Sequence, residues 1–135
     1  MPKLSSVLLI DDDSTTNFLS ELLLRTMKVA EHLLVAENGQ EALRALAHAC
    51  ADPIAPSCPQ LILLDMNMPV MNGLAFLEAY SQLPPTHQRA TIIMLTTSLH
   101  ERDLAPIGQF PIAGFLDKPL TREKVLAVLE EHFSA

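Results

Sequence analysis

Val7-Leu8-Leu9-Ile10-Asp11-Asp12-Asp13-Ser14 is the stretch on which the fold turns. An unbroken apolar run is what a strand buried on both faces requires, and burial on both faces is a property of parallel sheets. Three acids follow at once, and then Ser14, a residue type able to cap a helix. Beyond it Phe18, Leu19, Leu22, Leu23 and Met27 recur with the spacing of one helix face. The unit to look for elsewhere is therefore strand, polar turn, helix.

It recurs along the chain. Leu33 to Ala36 reads as a second strand, and Asn38-Gly39 turns into a helix whose apolar side is Ala42, Leu43, Leu46, Ala47 and Cys50. Leu61 to Leu64 is the central strand, and Asn72-Gly73 opens a third helix with Phe76, Leu77 and Tyr80 inward. Thr91 to Leu95 and Gly114 to Leu116 are strands four and five; Thr121 caps a final helix carrying Val125, Leu126, Leu129 and Phe133. Alternation of this kind specifies an α/β, doubly wound, five-stranded parallel sheet of flavodoxin-like order 2-1-3-4-5, with helices on both faces. Prolines at 53, 56 and 59 make Ala51 to Pro59 an extended loop, and Leu83-Pro84-Pro85-Thr86 is a second break. Between strands four and five Pro106, Gly108 and Pro111 leave only Leu99 to Ala105 for a fourth helix.

The 135 residues suit one domain, 49% apolar and 19% charged, as compact chains are. Nine basic against sixteen acidic residues give a net charge of -7, which argues against a surface for nucleic acid. Apolar runs of four residues fall far short of the roughly 20 that cross a bilayer. The first six residues lack the apolar core of a secretory signal, so a cytoplasmic protein without membrane contact is expected. Cys50 and Cys58 are then expected as free thiols, and the five scattered histidines as surface residues.

In a doubly wound sheet the ligand crevice lies at the carboxyl ends of the strands, where strand order reverses. Asp11, Asp12 and Asp13 follow strand one, Asp65 strand three, Thr96, Thr97 and Ser98 strand four, and Asp117 and Lys118 strand five. The reversal lies between strands one and three and gathers Asp11, Asp12 and Asp65. Like charges about 4 Å apart repel by roughly 4 kcal/mol at an effective dielectric near 20, so the three acids call for a cation. Oxygen donors suit Mg²⁺, which characteristically takes one or two carboxylates together with a phosphate oxygen. Asp65 is then a candidate nucleophile, Lys118 a point charge for phosphate and Thr96 a hydroxyl donor, a set suited to in-line phosphoryl transfer. Any one of these residues alone reads as a turn former or helix cap, and Asp13 as only that. Their joint placement on one sheet edge carries the reading.

The motifs resemble the receiver domain of two-component response regulators over nearly the whole chain, in a stand-alone form like that of the chemotaxis receivers. Leu8-Leu9-Ile10-Asp11-Asp12-Asp13 resembles its first acidic motif, Leu63-Leu64-Asp65-Met66-Asn67-Met68-Pro69 its phosphoacceptor segment, Met94-Leu95-Thr96-Thr97 its switch threonine and Phe115-Leu116-Asp117-Lys118-Pro119 its lysine-proline motif. The resemblance implies Asp65 as phosphoacceptor, Asp12 as direct Mg²⁺ ligand, Asp11 as ligand through water and Asn67 as ligand through its backbone carbonyl. It implies Thr96 and Lys118 as phosphoryl contacts, Phe115 as the switch aromatic, a cis Lys118-Pro119 bond, and a sensor histidine kinase or histidine phosphotransfer protein as donor. Thr97 is bulkier than the family's usual residue, and Asn67 and Ser98 stand where the family tunes the hydrolytic water. With two residues beyond Phe133, no effector domain is expected, and output would be a change of protein contacts rather than turnover of an external substrate. A small Mg²⁺ phosphohydrolase is the competing enzyme reading, but it would want an acid where Asn67 stands. A phosphorylation-independent interaction module is the third, disfavoured because the expected polar residues are present.

Overall fold

The computed structural model describes residues 3–51, 58–66, 68, 71–96, 110 and 112–133. Five parallel strands, β1 (Leu4–Ile10), β2 (Ala30–Ala36), β3 (Leu61–Asp65), β4 (Thr91–Thr96) and β5 (Gly114–Asp117), lie in the order β2-β1-β3-β4-β5. Around them run α1 (Ser14–Thr26), α2 (Gly39–Ala49), α3 (Gly73–Tyr80) and α4 (Arg122–Phe133), with a 3-10 turn at Pro85–His87. This is the doubly wound order expected from the sequence. The segment Leu99 to Ala105, where a fourth helix was expected, lies outside the described residues.

The pairing register, Leu8 beside Ile62 and Leu9 beside Leu63, sorts the apolar runs by parity. Leu8, Ile10, Ile62, Leu64, Ile92 and Met94 face α2 and α3, where they pack with Ala42, Leu46, Phe76 and Leu77. Val7, Leu9, Leu61, Leu63, Ile93 and Leu95 turn to the other side and meet Leu24, Met27, Val125, Val128 and Leu129 of the α1 and α4 layer. A buried phenylalanine cut to alanine costs about 3–5 kcal/mol, so Phe76 alone commits a sizeable share of the fold's stability. Tyr80 stacks on Phe76 at 5.7 Å between ring centroids and accepts a hydrogen bond from the Ala90 N–H at 3.3 Å.

Helix entrances follow side-chain chemistry. Asp13, not Ser14 as expected, caps α1: its carboxylate accepts from the Thr15 N–H and the Thr16 hydroxyl. Those two hydrogen bonds hold the Asp13 carboxyl below the usual aspartate range, the Thr16 contact being the larger cause. Asn38 caps α2 and Asn72 caps α3, each accepting from the backbone N–H three residues on. Thr121 Oγ1 does the same for α4.

The sheet-facing side of α1 also differs from the sequence reading. Asn17, Ser20, Leu24 and Met27 are buried, whereas Phe18, Leu19 and Leu22 are 63%, 58% and 52% exposed. At 3.6 residues per turn the two sets occupy opposite sides of the helix, and the polar pair is turned inward because that end of α1 borders a polar crevice. Likewise Ala47 faces solvent while Ala49 is buried, and Val128 joins the apolar side of α4.

Cys50 and Cys58, expected as free thiols, are joined in a disulfide, their Cα atoms 4.6 Å apart over a separation of 8 residues. Compartment was the basis for expecting thiols. Proximity comes instead from the chain's return: Cys50 ends α2, Cys58 leads into β3, and both are buried in the same cluster.

Candidate functional site

Every strand of a parallel sheet delivers its last residue to the same edge, so Asp11, Asp65, Thr96 and Lys118 arrive together although 107 positions separate the first from the last. One carboxylate oxygen from each of Asp11, Asp12 and Asp65 lies within 4.8 Å of the others. Asp11 and Asp65 are buried and Asp12 is exposed. The sequence expectation that these three meet is fulfilled.

Asp11 is held at four points. Its N–H donates to the Ala36 carbonyl at 3.1 Å, and its own carbonyl accepts from the Asn17 side-chain amide at 2.7 Å. Oδ1 accepts from the Asp13 N–H at 2.9 Å, and Oδ2 from Lys118 Nζ at 2.7 Å. Asn17 is a site residue that the sequence reading missed. The available signal was a polar residue at a sheet-facing position of α1, legible only once that face is known.

Asp65 ends β3, and the chain leaves it through a tight approach. The Gly73 N–H donates to the Met66 carbonyl at 3.1 Å. A Cβ on Gly73 would stand 3.0 Å from Met94 Cε and 3.1 Å from both the Asp65 carbonyl oxygen and Met66 Cα, so backbone as well as side chain would have to give. Thr96 ends β4, is buried, and its carbonyl accepts the Lys118 N–H at 2.9 Å. Phe115 pairs in register with Met94 and is partly buried against the α2 and α3 cluster. Asn67, Thr97 and Ser98 lie outside the described residues.

Lys118 reaches from the turn after β5, where the Lys118-Pro119 peptide is cis, to stand 2.7 Å from Asp11 and 3.1 Å from Asp65. Burial pulls its ammonium down, but hydrogen bonds to Asp11 and Asp65 and their charges outweigh that, leaving its pKa above the usual lysine value. With the acids ionised, the three carboxylates and the Lys118 ammonium together carry two negative charges among the described residues. That balance, with oxygen donors alone, fits a hard divalent cation. Among the described residues no helix is long and apolar enough to cross a membrane.

Residues 7–130 match the family described as the response regulator receiver domain. The chain is 29% identical to a probable chemotaxis protein CheY of Rhizobium etli, over 96% of this chain and 92% of that one. It is 27% identical to two-component response regulator 24 of Arabidopsis thaliana, over 93% of this chain and 82% of that protein. A crystal structure of a two-component response regulator from Cytophaga hutchinsonii superposes with a TM-score of 0.83 at 29% identity, covering 96% of this chain and 97% of that one.

Proposed function

The chain belongs to the response regulator receiver domain family, and from that premise we propose that it is a phosphoacceptor whose Asp65 takes a phosphoryl group from a phosphohistidine. The donor is a sensor histidine kinase or a histidine phosphotransfer protein, and the compartment is the cytoplasm. One observation carries the reading: Asp65 ends β3 beside two further acids and 3.1 Å from the Lys118 ammonium.

Asp11, Asp12, Asp65 and the backbone carbonyl of Asn67 would hold Mg²⁺, which when bound offsets the negative charge of the acids and of the arriving phosphoryl oxygens. The chain's own residues do the rest. Asp65 attacks phosphorus through a carboxylate oxygen, and the phosphorus-nitrogen bond to the donor imidazole breaks in line. Lys118 presents a fixed positive charge to a phosphoryl oxygen, and the Thr96 hydroxyl donates to another. Drawing Thr96 toward the phosphoryl group gives Phe115 a second packing position beside Met94. The population shift between the two changes which proteins the β5 edge binds. Hydrolysis at Asp65 resets the domain without an external substrate.

A protein donor needs a seat, and α1, whose buried Asn17 borders Asp11, offers an apolar one on its outer side. The exposed Phe18, Leu19 and Leu22 form an apolar face, and Phe18 adjoins Asn17, whose amide touches Asp11. We take the histidine-phosphorylated donor as its occupant.

Incubation with phosphoramidate and Mg²⁺ should add one phosphoryl group, read by intact-mass spectrometry, and chelation should prevent it. Equal uptake by Asp65→Asn would refute the assignment.

A further inference from the structure

Lys124 sits in the first turn of α4, where a cation meets the positive end of the helix dipole and is disfavoured. Its side chain does not extend into solvent along the helix. It turns back, and its ammonium donates to the Asp117 carbonyl at 2.8 Å and to the Pro119 carbonyl at 2.9 Å. Those two carbonyls bracket Lys118. The near side of the turn is already tied to the sheet, since the Lys118 N–H donates to Thr96 and Asp117 pairs with Thr96 in register. The far side, between Lys118 and α4, is spanned by Lys124, whose own N–H donates to Thr121 Oγ1 at 3.3 Å.

We propose that Lys124 is a positioning residue for Lys118: by clasping the carbonyls on either side, it fixes the turn from which Lys118 reaches Asp11 and Asp65. Lys118 must span from that turn to two carboxylates with one flexible stem. A shift of the turn moves its ammonium off the line of the reacting phosphoryl group, and misplacement by about 1 Å can cost on the order of 100-fold in rate. The proposal rests on Asp65 being the phosphoacceptor.

The test compares initial rates of phosphoramidate labelling at saturating Mg²⁺ in four proteins: the parent, Lys124→Met, Lys118→Met and the double variant. Lys124→Met should label about 10-fold more slowly than the parent, and in the Lys118→Met background it should cost less than about twofold, since the group it positions is gone. Lys124→Arg, which keeps the charge and several donors, should recover most of the lost rate. Thermal melting of each variant accompanies the rates, because a merely structural role would lower melting without making the rate loss depend on Lys118. An unchanged rate in Lys124→Met overturns the proposal, as does an equal fold-loss in both backgrounds. A parent that takes up no phosphoryl group overturns the acceptor reading itself, a result distinct from either.

Discussion

Lys118 Nζ stands 3.1 Å from Asp65 Oδ1, so the residue at the tip of β3 meets a cation delivered by the turn after β5. The same ammonium holds Asp11 at 2.7 Å. Both acids are buried, and removing the lysine takes away the ammonium that stands between them.

Lys118→Met should therefore lower stability by about 3 kcal/mol in metal-free buffer, the usual cost of stripping one partner from a buried ion pair. Added Mg²⁺ should recover more than half of the loss. Asp12→Ala should act the other way, relieving repulsion from an exposed position and gaining at most about 0.5 kcal/mol. Urea denaturation with and without Mg²⁺ reads both changes. A Lys118→Met protein as stable as the parent without metal would contradict the charge balance.

The exposed face of α1 predicts a split between donors. Phe18→Asp should reduce the ratio of transfer rate from a histidine-phosphorylated protein to that from phosphoramidate by about tenfold, as loss of an aromatic anchor does. Rapid-quench labelling with both donors gives that ratio, and an unaltered ratio would remove α1 as the docking face.

Reduction of Cys50–Cys58, a link buried in the core cluster on the α2 side of the sheet, should cost stability. The link closes a short loop, 8 positions from end to end. The chain-entropy relation gives about 2.5 kcal/mol for a loop of that size. Urea midpoints of oxidised and dithiol-reduced protein should differ accordingly. Coincident midpoints would mean that α2 and β3 hold together without the link.

Tyr80 is the chain's one tyrosine, and there is no tryptophan, so near-ultraviolet phenolate absorbance reports on it alone. Burial raises its pKa above the usual 10.0, opposed by the hydrogen bond from the Ala90 N–H. The neutral phenol is the form the fold prefers. Its contribution is therefore intact below the unfolded value and is lost as pH rises through the higher folded value. Lys118, also raised, acts with the same sign. The phenolate midpoint should lie higher in the native protein than in urea, and Tyr80→Phe should make the alkaline decline in stability shallower. Coincident midpoints in the two states would contradict burial as the cause.

The order of elements and the strand tips were legible in the sequence because both follow from short-range pattern. A run such as Leu61 to Leu64, short, uniformly apolar and bounded by Pro59 and Asp65, suits the middle of a parallel sheet, and parallel strands must end on one edge. Asp11, Asp65, Thr96 and Lys118 therefore fall at one place on the strength of the pattern alone. Helix entrances were legible in part: Thr121 reads as a cap and is one, Asn38-Gly39 and Asn72-Gly73 read as the turns that open α2 and α3, and the cap of α1 fell to Asp13 rather than Ser14.

Tertiary structure alone decided what depends on groups distant in the chain or on the rotation of a helix. Phe18 and Asn17 are neighbours with opposite exposures, and only the docking of α1 on β1 and β2 determines which faces inward. The Asp11 to Lys118 contact has a distance only after 107 positions of chain have folded back. No sequence motif marks Lys124, and Cys50 and Cys58 read in sequence as two thiols. Their roles come from carbonyls and sulfurs brought near them by packing, which no local periodicity encodes.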